Sequence, residues 1–119
     1  MDNHCINKIR NIYRAIAAFE LQMEQTFNLN INEVMAMCIL SQKANMLSGE
    51  LADEMNLTRS NTSKVIASLE KKGFIERKTC KHDSRCQRFA LTQLGEKQLS
   101  EVNCNSFEVP QNLQILLKT

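Results

Sequence analysis

The sequence lacks any apolar run approaching the roughly 20 residues that a membrane-spanning helix needs, so no part of it is expected in a bilayer. It also lacks a basic-then-apolar opening. Met1 is followed by Asp2, Asn3 and His4, so no secretion signal is expected and the default compartment is the cytoplasm. No CxxC pair, HExxH helix, glycine-rich phosphate loop or nucleophile elbow occurs, which removes the usual sequence marks of metal sites, nucleotide chemistry and acyl transfer. His4 and His82 stand without an evident acid or base partner. An enzyme is therefore not expected, nor is a cofactor. Repeats and low-complexity segments are missing too. Five cysteines (Cys5, Cys38, Cys80, Cys86, Cys104) form an odd set without the tight spacing of a disulfide framework. In a reducing cytosol they read most simply as thiols.

What is present is ordinary in amount and unusual in arrangement. The 119 residues suit one domain, with 43% hydrophobic and 24% charged residues. The net charge is only +2, yet Leu57 to Arg88 holds nine Lys or Arg against three acids, about +6, which leaves about −4 for the remainder. A near-neutral chain with one concentrated basic region carries the electrostatic footprint of a nucleic-acid binder.

Asn3 to Phe27 contains no Pro or Gly. Its apolar residues Ile6, Ile9, Tyr13, Ile16, Met23 and Phe27 recur at helical spacing, with Ile12, Ala15, Ala18 and Phe19 widening the stripe. A stripe that wide predicts a second surface to cover, most economically another copy of the chain. Asn30 and Glu33 mark the start of a second helix. Val34 to Leu40 is apolar nearly all round, predicting a buried helix with Cys38 as a small core residue. Ser48 is the expected cap of a third helix with Leu51, Ala52 and Met55 inward, and Asn56 is the expected left-handed turn residue. Thr58 is expected to cap a fourth helix ending at Gly73, with Val65, Ile66 and Leu69 inside; Thr62 sits where an aliphatic residue would pack better. Phe74 to Arg77 reads as a strand, Lys78 to Gln87 as a basic loop and Arg88 to Leu91 as the returning strand. Thr92 is expected to cap a fifth helix with Leu94, Leu99 and Val102 on one side, and a last short helix is expected over 111–118. The fold class is thus mainly α (α+β): a winged helix-turn-helix over 29–91 with a two-stranded wing and flanking helices over 3–27 and about 93–119, the first of them the candidate dimerisation helix.

A helix-turn-helix reads DNA because its second helix fits the major groove and presents its first turns to base edges. Thr58, Arg59, Ser60, Asn61, Ser63 and Lys64 occupy those turns. Asn61 suits adenine, Arg59 or Lys64 suits guanine or a phosphate, and the helix N-terminus offers free amides to a phosphate. In the wing, Lys78, Lys81, Arg85 and Arg88 supply positive charge, with Arg85 placed to enter a narrow minor groove. Asp83 stands two residues before Arg85, where it can orient the guanidinium.

These residues carry a resemblance. Asp83-Ser-Arg85, then Phe89-Ala-Leu91-Thr92 and Gly95, is similar to the wing pattern D-x-R-x-x-x-[LF]-x-L-T-x-x-G of the MarR family of bacterial transcription regulators. Leu51-Ala52, Leu57 to Ser60 and Leu69 to Arg77 match the same family in register, so that the resemblance covers about 29–99. It implies a homodimeric DNA-binding regulator, a repressor, whose first and last helices, 3–27 and about 93–119, interlock as dimerisation helices and whose winged domains read a pseudo-palindrome in double-stranded DNA. It implies that the recognition helix, 58–72, lies in the major groove and the wing, 78–88, in the minor groove, with Arg85 as the wing arginine. A small aromatic effector between the dimer helices and the winged domain is the family's usual control. The chain is shorter than most members at its C-terminal end, and Lys64 stands where Arg is common, giving a point contact in place of a fork.

Three other readings compete for the wing. Cys80, His82 and Cys86 are soft ligands, but a structural zinc usually takes four, so no metal is expected. Cys80 and Cys86 flank the tip among cations that favour thiolate; a disulfide between them would couple oxidation to DNA affinity, and Cys5 is a weaker redox candidate near the start of the first helix. The alternative from another class is a winged helix used for protein–protein contact, its basic wing meeting an acidic partner.

Overall fold

The computed structural model describes residues 2–80 and 83–104, with the backbone alone at residues 80, 83–85, 103 and 104. Helix α1 spans Asn3–Phe27, α2 Ile31–Gln42, α3 Ser48–Met55, α4 Arg59–Lys71 and α5 Gln93–Cys104; the strands are β1 Met46–Leu47, β2 Ile75–Cys80 and β3 Asp83–Leu91. The chain forms two compact units, one containing α1 and the other residues 31–104. Among the described residues no helix is long and apolar enough to cross a membrane.

Helix α1 has the expected bounds. Asp2 caps it by accepting the Cys5 amide at 2.9 Å, and Asn28, at φ 56°, closes it in the left-handed conformation. Ile6, Ile9, Tyr13 and Ile16 lie exposed along it, Tyr13 by 73%.

In the second unit, the three strands form an antiparallel sheet in the order β1-β3-β2. β1 was not foreseen: two residues are too short for any alternation to show. Its pairing of Met46 with Phe89 and Leu47 with Arg88 holds Leu47 extended, at ψ 153°, so Leu47 takes the cap position and α3 begins at Ser48, one residue earlier than a Ser48 cap requires. The Leu47 amide is instead bound by the Glu50 side chain at 2.9 Å. Asn56 takes the left-handed turn at φ 55°, and the Leu57 amide reaches back to the Ala52 carbonyl at 3.1 Å, a Schellman-type closure.

The core is built from Ala36, Met37 and Leu40 of α2, Leu51, Ala52 and Met55 of α3, Val65, Ile66 and Leu69 of α4, Ile75, Phe89 and Ala90 of the sheet, and Leu99 and Val102 of α5. Three expectations need correction. α2 is not buried all round, because Met35 is 40% exposed and Cys38 is an exposed free thiol; three residues apart, they share one side of the helix. Leu94 is exposed, whereas Leu99 and Val102 are buried. The segment 78–87 is largely paired strand: the ladder continues through Lys78↔Arg88 and Thr79↔Gln87 before shifting at Cys80, which lies opposite Asp83. Few apolar residues fall in this segment, so no apolar alternation marks it as a strand. The short helix expected over 111–118 lies outside the described residues.

Candidate nucleic-acid interface

Helix α4 is fixed at both ends and along its inner side. At its start the Thr58 hydroxyl accepts the Asn61 amide at 3.1 Å, supplying one of the partners that first-turn amides lack. Thr62 is fully buried, and its hydroxyl donates to the Thr58 carbonyl at 2.8 Å. The misfit anticipated from sequence is thereby removed, since a buried hydroxyl with a partner costs little. At its end, Gly73 takes φ 80°, while the Phe74 amide reaches the Leu69 carbonyl and the Gly73 amide the Glu70 carbonyl, each at 3.0 Å. From below, the Glu33 carboxylate of α2, its side chain 4% exposed, accepts Lys72 Nζ at 2.7 Å and the Ser68 hydroxyl at 2.9 Å.

With that inner face locked, Arg59, Ser60, Asn61, Ser63 and Lys64 all stand exposed on the first two turns. Arg59, Lys64 and Lys71 make no ion pair among the described residues. Of this set only Thr58 has a defined structural task, the cap.

The other basic residues are differently employed. Lys78 and Arg88 face each other across β2 and β3, each near an acid of the same chain: Lys78 lies 3.7 Å from Glu76 and Arg88 3.7 Å from Glu50. Arg88 also donates to the Asn45 carbonyl at 2.9 Å, which ties it to the loop before β1. Arg77, counted as part of the positive field, is bound by Glu70 at 2.7 Å, and that hydrogen bond raises its pKa further above an already high value. The charge count therefore overstates the free field, and among the described residues the cations of this region without an acidic partner lie on α4.

Asp83 and Arg85 lie on β3, their side chains outside the described residues, as are Lys81 and His82. Cys86 is disulfide-bonded, and Cys5 is an exposed free thiol in the first turn of α1. Among the described residues no group of three His, Cys, Asp or Glu is arranged to hold a metal; the Cys80–His82 stretch lies outside that statement.

A groove of about 490 Å³ separates the flank of α4, at Ser63, Ile66, Ala67 and Glu70, from Arg77, Gln87 and Phe89 of the sheet. Sequence periodicity did not reveal it, because the residues lining it come from elements that only the tertiary fold brings together.

The model of the MarR family matches residues 29–87, the stretch from the entry to α2 through most of the wing. The chain belongs to the MarR family. It is 32% identical over 76 residues to the transcriptional repressor MprA of Escherichia coli K12, a match covering 60% of this chain and 43% of that repressor; the chain thus aligns with less than half the length of its curated relative. The transcriptional regulator BldR of Sulfolobus solfataricus shares the fold with a TM-score of 0.74 at 25% identity, over 100% of this chain and 88% of that one. MepR of S. aureus, solved as a DNA complex, has a TM-score of 0.64 at 16% identity, over 98% of this chain and 87% of that one. MprA is named as a transcriptional repressor and BldR as a transcriptional regulator.

Proposed function

We propose that this MarR-family chain is a DNA-binding transcriptional repressor of the cytoplasm that acts as a homodimer on a pseudo-palindromic operator. The observation that carries the reading is the exposed, unpaired set Arg59, Asn61, Lys64 and Lys71 on a helix whose inner face is locked by Glu33, Thr58 and the core. In this reading α4 enters the major groove, where Asn61 reads a base and Arg59, Ser60, Ser63 and Lys64 contact bases or phosphates. Lys78, Lys81, Arg85 and Arg88 line the wing along the minor groove, with Asp83 orienting Arg85. The exposed Ile6, Ile9, Tyr13 and Ile16 of α1 supply apolar surface for a second copy.

Selection of bound sequences from random DNA by the purified protein tests this directly. A palindrome is expected, and its half-site spacing reports the dimer. A dimer touching on the order of 6–10 phosphates loses about 10³–10⁵ in affinity between 50 and 200 mM salt. Failure to select any sequence, together with tight binding to an acidic protein partner, would replace the reading with a protein–protein module.

Release from DNA follows from oxidation in this proposal, and the bonded state of Cys86 supports it. Cys80 is the proposed partner across the hairpin: two thiols give up two protons and two electrons to an oxidant such as a peroxide, which is reduced to water and alcohol. A Cys80→Ser, Cys86→Ser double variant is expected to keep its operator affinity under oxidant. A response to oxidant equal to wild type excludes the wing cysteines and moves the redox role to the exposed Cys5, whereas a wild type that ignores oxidant leaves the family's small aromatic effector as the mode of release.

A further inference from the structure

Arg77 lies outside the residues assigned to DNA, and its surroundings give it a different task. Its guanidinium meets Glu70 of α4 through two parallel bonds, Nη2 to Oε1 at 2.7 Å and Nε to Oε2 at 3.2 Å. Nη1 donates to Gln87 Oε1 of β3 at 2.6 Å. The face of the same group lies 5.3 Å from the centroid of the Phe89 ring. One planar cation on β2 is therefore held by the recognition helix on one edge, by β3 on another and by an aromatic ring beneath. The fork pairing fixes orientation as well as distance, and ring stacking adds a third constraint. Only an arginine can meet all three.

The groove between α4 and the sheet makes this joint consequential. Side chains at Ser63, Ile66 and Ala67 look across about 490 Å³ of open space toward Gln87 and Phe89. Beneath the groove the buried Ile66 and Phe89 belong to the core; across it, the Glu70–Arg77–Gln87 link ties the C-terminal end of the helix to both strands of the wing. We propose that Arg77 is a positioning residue that couples the recognition helix to the wing, so that both engage DNA in one fixed geometry. This inference rests on the DNA-binding reading above.

The sign of one substitution tests it. Glu70→Gln removes a negative charge from the DNA-facing unit, which by counterion arithmetic alone strengthens binding or leaves it unchanged. If Arg77 is a joint, Glu70→Gln instead weakens operator binding by about tenfold, and so does Arg77→Lys, which keeps the charge and loses the fork. The pair is partly exposed, 45% for Arg77 and 28% for Glu70, so both variants are expected to fold with nearly unchanged thermal midpoints. The second readout is coupling to the wing: Arg85→Ala is expected to cost far less, as a ratio, in the Arg77→Lys background than in wild type. Tighter or unchanged binding of Glu70→Gln overturns the proposal. An equal Arg85→Ala ratio in both backgrounds also overturns it, marking Arg77 as structural only. Should wild type itself select no operator, the DNA-binding reading has failed, and the joint with it; a wild type that binds while these ratios stay flat sinks the joint alone.

Discussion

Gly95, in the first turn of α5, passes so close to the Phe74 carbonyl that a Cβ at residue 95 would stand 2.1 Å from its oxygen and 3.2 Å from a Leu91 methyl. The approach is held by Thr92, whose amide reaches the same Phe74 carbonyl at 3.0 Å. The Thr92 hydroxyl donates to the Gly73 carbonyl at 2.6 Å and accepts the Gly95 amide at 3.0 Å. The Leu-Thr-x-x-Gly stretch is thus a clasp joining the end of α4, the end of β3 and the start of α5.

Gly95→Ala follows from that geometry. The obstructing atom belongs to the backbone and cannot swing away, so the clasp must open. A loss of about 3 kcal/mol in unfolding free energy is expected, at the upper end for overpacking, and urea titration measures it. Gly49 is the contrast: its added Cβ would meet only the Arg59 guanidinium, at 3.6 Å. Gly49→Ala is expected to stabilise by about 0.5 kcal/mol through helix propensity.

The Glu33–Lys72 pair predicts an asymmetry between its two ends. Lys72 is 26% exposed in its side chain and Glu33 only 4%, so Lys72 can turn to water if its partner is neutralised, while Glu33 cannot. Lys72→Ala leaves a buried carboxylate with its cation gone and is expected to cost about 3 kcal/mol. Glu33→Gln keeps an acceptor for Ser68 and is expected to cost about 1 kcal/mol. Equal costs measured by chemical denaturation would show that Glu33 gains access to solvent.

The helices were legible because their signals are local. Thr58, Asn56 and Gly73 are caps and turns whose chemistry is set within four residues, and the bounds of α1 follow from a stretch without Pro or Gly whose apolar residues recur at helical spacing. What stayed hidden depends on residues far apart in sequence. β1 exists only through its pairing with β3, and that pairing moved the start of α3 by one position. Cys38 and Met35 look like core on composition, but the side of α2 they occupy is decided by where α3 and α4 pack. The same limit applies to the site. Candidate contacts on α4 were readable from cap and inner face, whereas the occupation of Arg77, Lys78 and Arg88 by Glu70, Glu76 and Glu50 was not. A charge count sees cations without seeing their partners.

Asp2 predicts a pH effect confined to the first turn of α1. Its carboxylate accepts the Cys5 amide, and that hydrogen bond, with smaller help from the His4 amide, lowers its pKa below the ordinary carboxylate value. The folded pKa is depressed, so the cap contributes above the ordinary aspartate range and is lost as pH falls through the folded value. Amide exchange at Cys5 is expected to accelerate in acid beyond its intrinsic trend, and Asp2→Ala is expected to show that faster exchange already at neutral pH. Identical protection in the variant would remove the cap from the account.

Asn61 and Lys64 separate reading from holding. Both are exposed near the start of α4, three residues apart and so on one side of the helix, yet an amide and an ammonium have different partners. An amide pairs in two places with adenine and discriminates it from other bases by about 1–3 kcal/mol. An ammonium is a point charge that serves any phosphate. Asn61→Ala is therefore expected to relax preference at one operator position while leaving the salt slope intact. Lys64→Ala is expected to weaken all sequences alike and to lower the slope of log affinity against log salt by about one. Titration of both variants against the selected operator and a scrambled duplex, each at several salt concentrations, makes the comparison. A uniform loss for Asn61→Ala, with a reduced salt slope, would move Asn61 from base reading to phosphate contact and shift the reading edge of α4 toward Arg59 and Ser60.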